Sequence, residues 1–327
     1  MERRIIPSNQ VRGMRQIASF PITQDNLQQT VDLPRGPHIE SVQLRVSGSA
    51  NITTLFTTVR NIATYRFLRR ADWVINSNVT LDSVSGPQLV QQYVMRRNAP
   101  ILVNPLSAAV SLQPFDATFI FDRSMPDGVR PKDSYLQTDF GMSNNQLRLQ
   151  FGALSDMFIG SGVASYSGVS ASVSVTDYQE QQDKNGMTPS PGWYGKRNGS
   201  VSAFSAAANG QQIKVSTGNR LRFVSLRVLD AVTQEPNPAL LSRIKLSRAG
   251  DTRVDMAAID VLRGNQANYG QSLLAGQYII DLAYNGAMSG VRYSEFWPIP
   301  NSADTFLFVD TTSACIVEVS TFEGVDW

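Results

Sequence analysis

One stretch of this chain is written twice, and that repetition restricts the available folds more than any other feature. Ala71 to Arg97 reads ADWVINSNVTLDSVSGPQLVQQYVMRR. Trp73 to Leu81 is strand-like, with the β-branched Val74, Val79 and Thr80 set among Asn and Ser. Ser85-Gly86-Pro87 breaks the strand. Pro87 suits the first position of a helix, where its missing N–H costs nothing. Leu89, Val90, Tyr93 and Val94 then form one apolar stripe on a three-turn helix. Arg243 to Arg263, RIKLSRAGDTRVDMAAIDVLR, follows the same plan. Ile244 and Leu246 alternate as in a strand, Ala249-Gly250-Asp251 turns, and Val254, Ala258, Val261 and Leu262 make the stripe.

The segments after each helix also correspond. DATFIFDRSMPDGVR, YLQTDF, QLRLQF and SASVSVT follow the first; GQYIIDLAYNGAMSGVR, SEFWPI, TFLFV and SACIVEVST follow the second. The two GVR turns, at Gly128 and Gly290, stand 162 positions apart. Upstream, Ile39 to Gly48 alternates apolar and polar residues as a half-buried strand does, and Leu221 to Asp230 parallels it. Each carries an apolar-Arg-Val unit, Leu44-Arg45-Val46 and Leu226-Arg227-Val228. Met14 to Phe20 with Gln28 to Leu33 reads as the first strand, broken by Pro21. Asn51 to Arg70 reads as one strand with a helical turn.

Many strands, short Gly/Pro/Ser turns and little helix predict an all-β chain of antiparallel sandwiches or barrels. The 327 residues suffice for two domains of about 150. The expected division is a basic arm over residues 1–13, a first domain over 14–180, a linker or exposed loop over 181–210, and a second domain over 211–327. The linker expectation rests on the Gly-, Pro-, Asn- and Ser-rich run from Gln179 to Gln211; Trp193 and Tyr194 inside it are expected to be pinned against a neighbour.

Charged residues make up only 17% of the chain, below the roughly 25% of an average soluble protein. A polar, weakly charged surface suits either large contact areas or a plain β-rich secreted or structural protein. The net charge of +2 is too balanced for a general nucleic-acid footprint, and no sequence-specific nucleic-acid binding is expected. The local exception is the start, where Arg3, Arg4, Arg12 and Arg15 face only Glu2. This arm reads either as a solvated tail or as a foot on neighbours or anionic lipid. A single cysteine, Cys315, excludes an internal disulfide and points to assembly in a reducing cytoplasm, or at least to no reliance on oxidation. No apolar run reaches the 18 residues of a membrane span, and the first ten residues lack the apolar core of a signal peptide.

The chemistry of catalysis finds little footing. His38, the only histidine, sits in a Pro/Gly turn and reads as a surface residue. Cys315 lies in an alternating strand beside Ala314, Ile316 and Val317 and reads as a buried small apolar residue. One cysteine and one histidine cannot build a Cys/His metal site, and Asp251 and Asp255 read as decoration of a helix N-terminus. No phosphate-cradling glycine loop occurs. Neither a catalytic group, a metal nor a cofactor is expected.

Two tandem β domains with a helix set at the same place, behind a basic arm, resemble the double jelly-roll major capsid proteins of tailless icosahedral bacteriophages with an internal membrane. Corticoviruses and the single-stranded DNA phages of Flavobacterium are the nearest in size. The resemblance rests on the paired segments Trp73–Arg97 and Arg243–Arg263 and on the paired closing strands Ser170–Thr176 and Ser313–Thr321. It implies two eight-stranded jelly-roll sandwiches, each with one short helix between strands, standing normal to a capsid surface. It implies a homotrimer with six similar corners, contacting neighbouring capsomers, penton and minor capsid or membrane proteins, in a virion assembled in the host cytoplasm. Arg3, Arg4, Arg12 and Arg15 would then lie on the inner side and meet anionic head groups, at about 1 kcal/mol each. The alternatives are a carbohydrate-binding adhesion module, using Trp193, Tyr194 and Trp297 as platforms, and a sandwich glycosidase. Trp297, before Pro298 in an alternating strand, also reads as core.

Overall fold

The computed structural model describes residues 11–36, 38–97, 101, 105–123, 136, 138, 142–179, 193–269, 273–282, 297 and 303–326. The first half runs β1 (Val11–Pro21), β2 (Gln28–Asp32), β3 (His38–Thr54), β4 (Thr58–Val59), α1 (Ala63–Arg66), β5 (Leu68–Ile75), β6 (Val79–Val84), α2 (Gly86–Arg97), β7 (Leu112–Asp122), β8 (Asn145–Phe151), β9 (Phe158–Ile159) and β10 (Val163–Gln179). The second runs β11 (Trp193–Phe204), β12 (Ala208–Thr217), β13 (Arg220–Asp230), β14 (Leu241–Arg248), β15 (Asp251–Ala257), α3 (Ala258–Tyr269), β16 (Gln277–Asp281), β17 (Asp304–Thr311) and β18 (Cys315–Asp326).

The short β4 and β9 pair only with each other. Each half otherwise contributes eight strands among the described residues. Numbered within its half, the strand order is 1-8-3-6 in one sheet and 2-7-4-5 in the other, in both halves. In the first half these are β1-β10-β3-β7 and β2-β8-β5-β6; in the second, β11-β18-β13-β16 and β12-β17-β14-β15. Each half is a jelly roll, and the helix falls between the fifth and sixth strands in both.

The copying extends to detail. Leu44-Arg45-Val46 and Leu226-Arg227-Val228 both lie on the third strand, and the two closing strands are both the eighth. The fourth strand skips one residue against its neighbour at the same place, between Leu68 and Arg70 and between Leu241 and Arg243. Leu136, of the first YLQTDF segment, bridges Ile39 as Trp297, of SEFWPI, bridges Leu221. The GVR turns lie outside the described residues.

Each sandwich has its own apolar core. One gathers Val42, Leu44, Trp73, Phe119 and Phe121; the other gathers Leu226, Val228, Ile244, Leu246 and Val317. Burying such a side chain is worth about 1.5–3 kcal/mol, which is why strict alternation fixes the register of these strands. The two halves are not separate beads. The last strand of one sheet, β6, pairs in parallel with β11, the first strand of the next, through Asp82 with Arg197 and Ser83 with Asn198. A continuous eight-stranded sheet results, β16-β13-β18-β11-β6-β5-β8-β2.

Several sequence expectations need correction. Residues 14–20 and 28–33 are not one strand. β1 pairs with β10 and β2 with β8, in opposite sheets, and Pro21 marks the crossing. Trp73 to Leu81 is a hairpin, with Asn76 and Ser77 at φ 50° and 66°, the paired left-handed conformation a two-residue hairpin turn demands. The second helix begins at Ala258, so Val254 and Asp255 belong to strand β15 and Asp255 is no helix-end decoration. The described part of the expected linker, 193–210, is β11 and the start of β12; β11 pairs with β18 over twelve residues. Its glycines serve close approach. A Cβ at Gly195 would stand 2.8 Å from the Phe322 ring, and one at Gly199 2.0 Å from Oε1 of Gln88. The expected arm also shortens, since Val11 to Gly13 already belong to β1. His38 opens β3 and is buried, because β3 begins inside the sandwich rather than at a surface turn.

Candidate assembly interface

A set of buried polar side chains lies where the two sandwiches meet. Asp82 on β6 is fully buried. Its Oδ2 accepts from Nη2 of Arg123 at 2.6 Å and faces Nη1 of Arg197 at 3.4 Å. Arg123 also donates to the Gly195 carbonyl at 2.7 Å and lies over the Trp73 ring at 4.3 Å. Arg197 donates to the Asp122 carbonyl. Two cations therefore close on one carboxylate at the parallel strand joint. Burial lowers the Arg197 guanidinium below its ordinary value, opposed by the charge of Asp82.

Helix α2 lies over the outer face of β11-β18-β13-β16. Gln88 donates to the carbonyls of Ser200 and Val319, and Gln92 to that of Thr321. Gln91 accepts from Ser225, and its own carbonyl accepts from Gln277. Beside them, Arg227 faces Glu318 at 3.6 Å and donates to Asn61 at 2.6 Å. Desolvation lowers Arg227 to about 10, with Glu318 opposing. Arg60 donates to Gln234 at 2.6 Å, and Glu235 accepts from the amide of Asn61. This part of the outer face of β18-β13-β16 is thus dry: Arg227, Ser225, Ser320 and Gln277 are all wholly buried.

The same face of the first sandwich carries Gln43, Arg45, Ser172 and Ser174 and is open to half-open, with Arg45 exposed and paired to Asp116. Helix α3 shows the same contrast. Its Val261, Asn265 and Tyr269 are buried while Ile259 is 50% exposed, whereas the side chains of α2 as far as Val94 are nearly all buried.

No family model and no curated protein sequence matches this chain. Solved structures do. The major capsid protein P2 from bacteriophage PM2 matches with a TM-score of 0.62 at 14% identity, over 97% of this chain and 98% of that one. The STIV major capsid protein matches with a TM-score of 0.65 at 15% identity, over 96% and 97%. A chain of the PBCV-1 virus capsid matches with a TM-score of 0.60 at 13% identity, over 99% and 95%. The fold is the double jelly roll of viral major capsid proteins.

Two of the four arginines singled out by sequence, Arg12 and Arg15, lie within the described part of this double jelly roll. Arg3 and Arg4 lie outside the described residues. Arg12 is held by both oxygens of Glu40, at 2.9 and 3.0 Å, and Arg15 by Asp177 at 2.9 Å. Both arginine side chains are more than half exposed, so each pair is worth about 0–1 kcal/mol.

Elsewhere, among the described residues, few chemically active groups come together. A cleft of ≈ 280 Å³ between β11, β12 and β18 is lined by Lys196, Lys214, Ser216 and Glu323. Glu323 accepts from Asn198, Asn219 and Thr321, and Lys214 pairs with Asp304, so these charges are already engaged. Burial pushes the Cys315 thiol up, away from a nucleophilic thiolate. Among the described residues no three His, Cys, Asp or Glu side chains converge on a metal position. Trp297 is core, stacked under Arg248 at 3.9 Å, and Tyr194 packs half-buried against the first core. The buried Trp297 ring, with Arg248 and Arg253 over it, presents no open face for a sugar; the side chain of Trp193 lies outside the described residues. Sequence reading missed Asp82, Arg123, Arg197 and the α2 glutamines. The signal was a helix rich in glutamine, where a solvent-facing helix would carry charge.

Proposed function

We propose that this protein is a major capsid protein, a structural and non-catalytic tile of an icosahedral shell. One observation carries the proposal: two sandwiches of identical strand order are fused side by side into one body, and that body matches viral major capsid proteins along nearly its whole length. Three such chains present six similar corners and make a pseudo-hexagonal trimer that tiles a lattice. Neighbouring capsomers, penton proteins and minor capsid or membrane proteins are its partners, in a shell assembled in the host cytoplasm.

An internal lipid membrane beneath the shell completes the proposal. Its support is the basic start of the chain, where Arg3 and Arg4 have only Glu2 as an acidic neighbour. Arg12 and Arg15 contribute less, being engaged by Glu40 and Asp177.

Light scattering on the purified protein at micromolar concentration is the direct test. A trimer is expected, with a subunit contact of roughly 2,000 Å² or more. A folded monomer would speak against a capsid role. Electron micrographs of self-assembled protein should show hexagonally packed shells or sheets.

A further inference from the structure

The joint between the two sandwiches is a template for a joint between chains. By strand order and register, β15 corresponds to β6, and β1 to β11. β6 and β11 pair with each other; β15 and β1 are edge strands, each with a single neighbour among the described residues. An edge left open exposes a row of unpaired N–H and C=O groups, which natural sheets cover or blunt. β15 is neither short nor covered: six of its seven residues are exposed.

We infer that β15 of one copy pairs in parallel with β1 of a second copy, so that two four-stranded sheets fuse across the subunit boundary. The resulting order, β7-β3-β10-β1 continuing into the second copy's β15-β14-β17-β12, repeats that of the eight-stranded sheet already inside each chain. The inference rests on the capsid reading and adds to it the partner surface and its register.

The register follows from the internal pairs. Met14 faces Thr176 on β10 as Arg197 faces Phe322 on β18, and Val254 faces Leu246 on β14 as Asp82 faces Trp73 on β5. Asp82 against Arg197 therefore becomes Val254 against Met14, and Ser83 against Asn198 becomes Asp255 against Arg15. The third member of the buried ion cluster, Arg123, corresponds to Leu282, the residue after β16 as Arg123 is the residue after β7. A charged trio inside the chain is matched by an apolar trio at its free edges, and beside it Asp255, held in the single chain by Arg243, comes against Arg15, held there by Asp177. Met14, 71% exposed in the single chain, and Met256, 47% exposed, then gain cover. Helix α3 would lie over the second copy's β1-β10-β3-β7 face as α2 lies over the equivalent face, with Asp260 and Arg263 in the places of Gln88 and Gln91.

Cysteine pairing tests the register in the intact protein. In a Cys315→Ser background, Met14→Cys and Val254→Cys are introduced together and oxidised. Both changes only shrink exposed or half-buried side chains, so the fold is expected to survive, as circular dichroism checks. A disulfide needs Cα atoms within about 7 Å. Covalent dimers and trimers, dispersed by reductant, are expected from this pair and from neither single variant. Met14→Cys with Val232→Cys, on an exposed loop after β13, is the control and should stay monomeric on a denaturing gel. A trimer in solution whose Met14→Cys/Val254→Cys form links no better than the control overturns this register and leaves the capsid reading standing. A folded monomer overturns both. Met14→Glu, which puts charge in the joint, should raise the trimer's dissociation constant at least tenfold; an unchanged constant also counts against the inference.

Discussion

At the scale of single residues, the buried cluster of Asp82, Arg123 and Arg197 decides how the halves are locked. Removing one member of a buried ion pair strands the others in a dry site, at a cost of about 3–5 kcal/mol. Asp82→Asn should lose that much, read as a lowered denaturant midpoint with unchanged slope. Replacing all three by the residues at the corresponding free-edge positions, Asp82→Val, Arg123→Leu and Arg197→Met, should be far milder than the single change. Buried ion clusters are often equalled by well-packed apolar groups. Tyr278 gives a second, pH-linked test. Burial pushes its phenol up to about 12, and its hydroxyl donates to the Pro238 carbonyl at 2.7 Å. Between pH about 10 and about 12 the unfolded chain has released this proton and the folded chain still holds it, so stability falls as pH rises through that window. Tyr278→Phe should flatten the fall, seen as a weaker pH dependence of the melting temperature.

Helices α2 and α3 show how one element takes two roles. α2 and α3 occupy the same slot in their sandwiches, but α2 is roofed by the other half of the chain. Its first residue, Gly86, starts under the Tyr65 carbonyl, where a Cβ would stand 2.0 Å from that oxygen. Gly86→Ala must move backbone and should destabilise by about 1–3 kcal/mol on thermal melting. Gln88→Ala should cost about 1–3 kcal/mol, since it leaves a buried amide's work at Ser200 and Val319 undone. Both helices were legible from apolar spacing and from Pro87. The start of α3 was not, because Val254 fits a helical stripe and an alternating strand equally well. Pairing with β14 chose the strand. β11 was illegible for a related reason. Its Gly and Asn content reads as loop, yet those glycines let Gln88 and Phe322 press against the strand, and both contacts come from residues more than 100 positions away.

At the scale of the whole molecule, the inner joint is ionic and buried while the proposed outer joint is apolar, bordered by the exposed Arg15–Asp177 and Arg243–Asp255 pairs. Raising sodium chloride from about 0.1 to about 1 M shortens the screening length from about 10 to about 3 Å. It weakens exposed pairs and leaves apolar contacts intact or stronger. The trimer should therefore persist across that range, as light scattering can follow; dissociation at high salt would point to a joint held by surface charge.

By itself the sequence determined that this chain is a doubled β fold. Alternation sets which face of each strand is buried, Gly and Pro set where strands end, and both signals are local and appear twice. Which strands become neighbours was decided only in three dimensions. The crossing at Pro21, the parallel joint of β6 with β11 and the convergence of Asp82, Arg123 and Arg197 all join residues far apart in sequence. Their energies come from burial and backbone pairing, which no short window of residues contains.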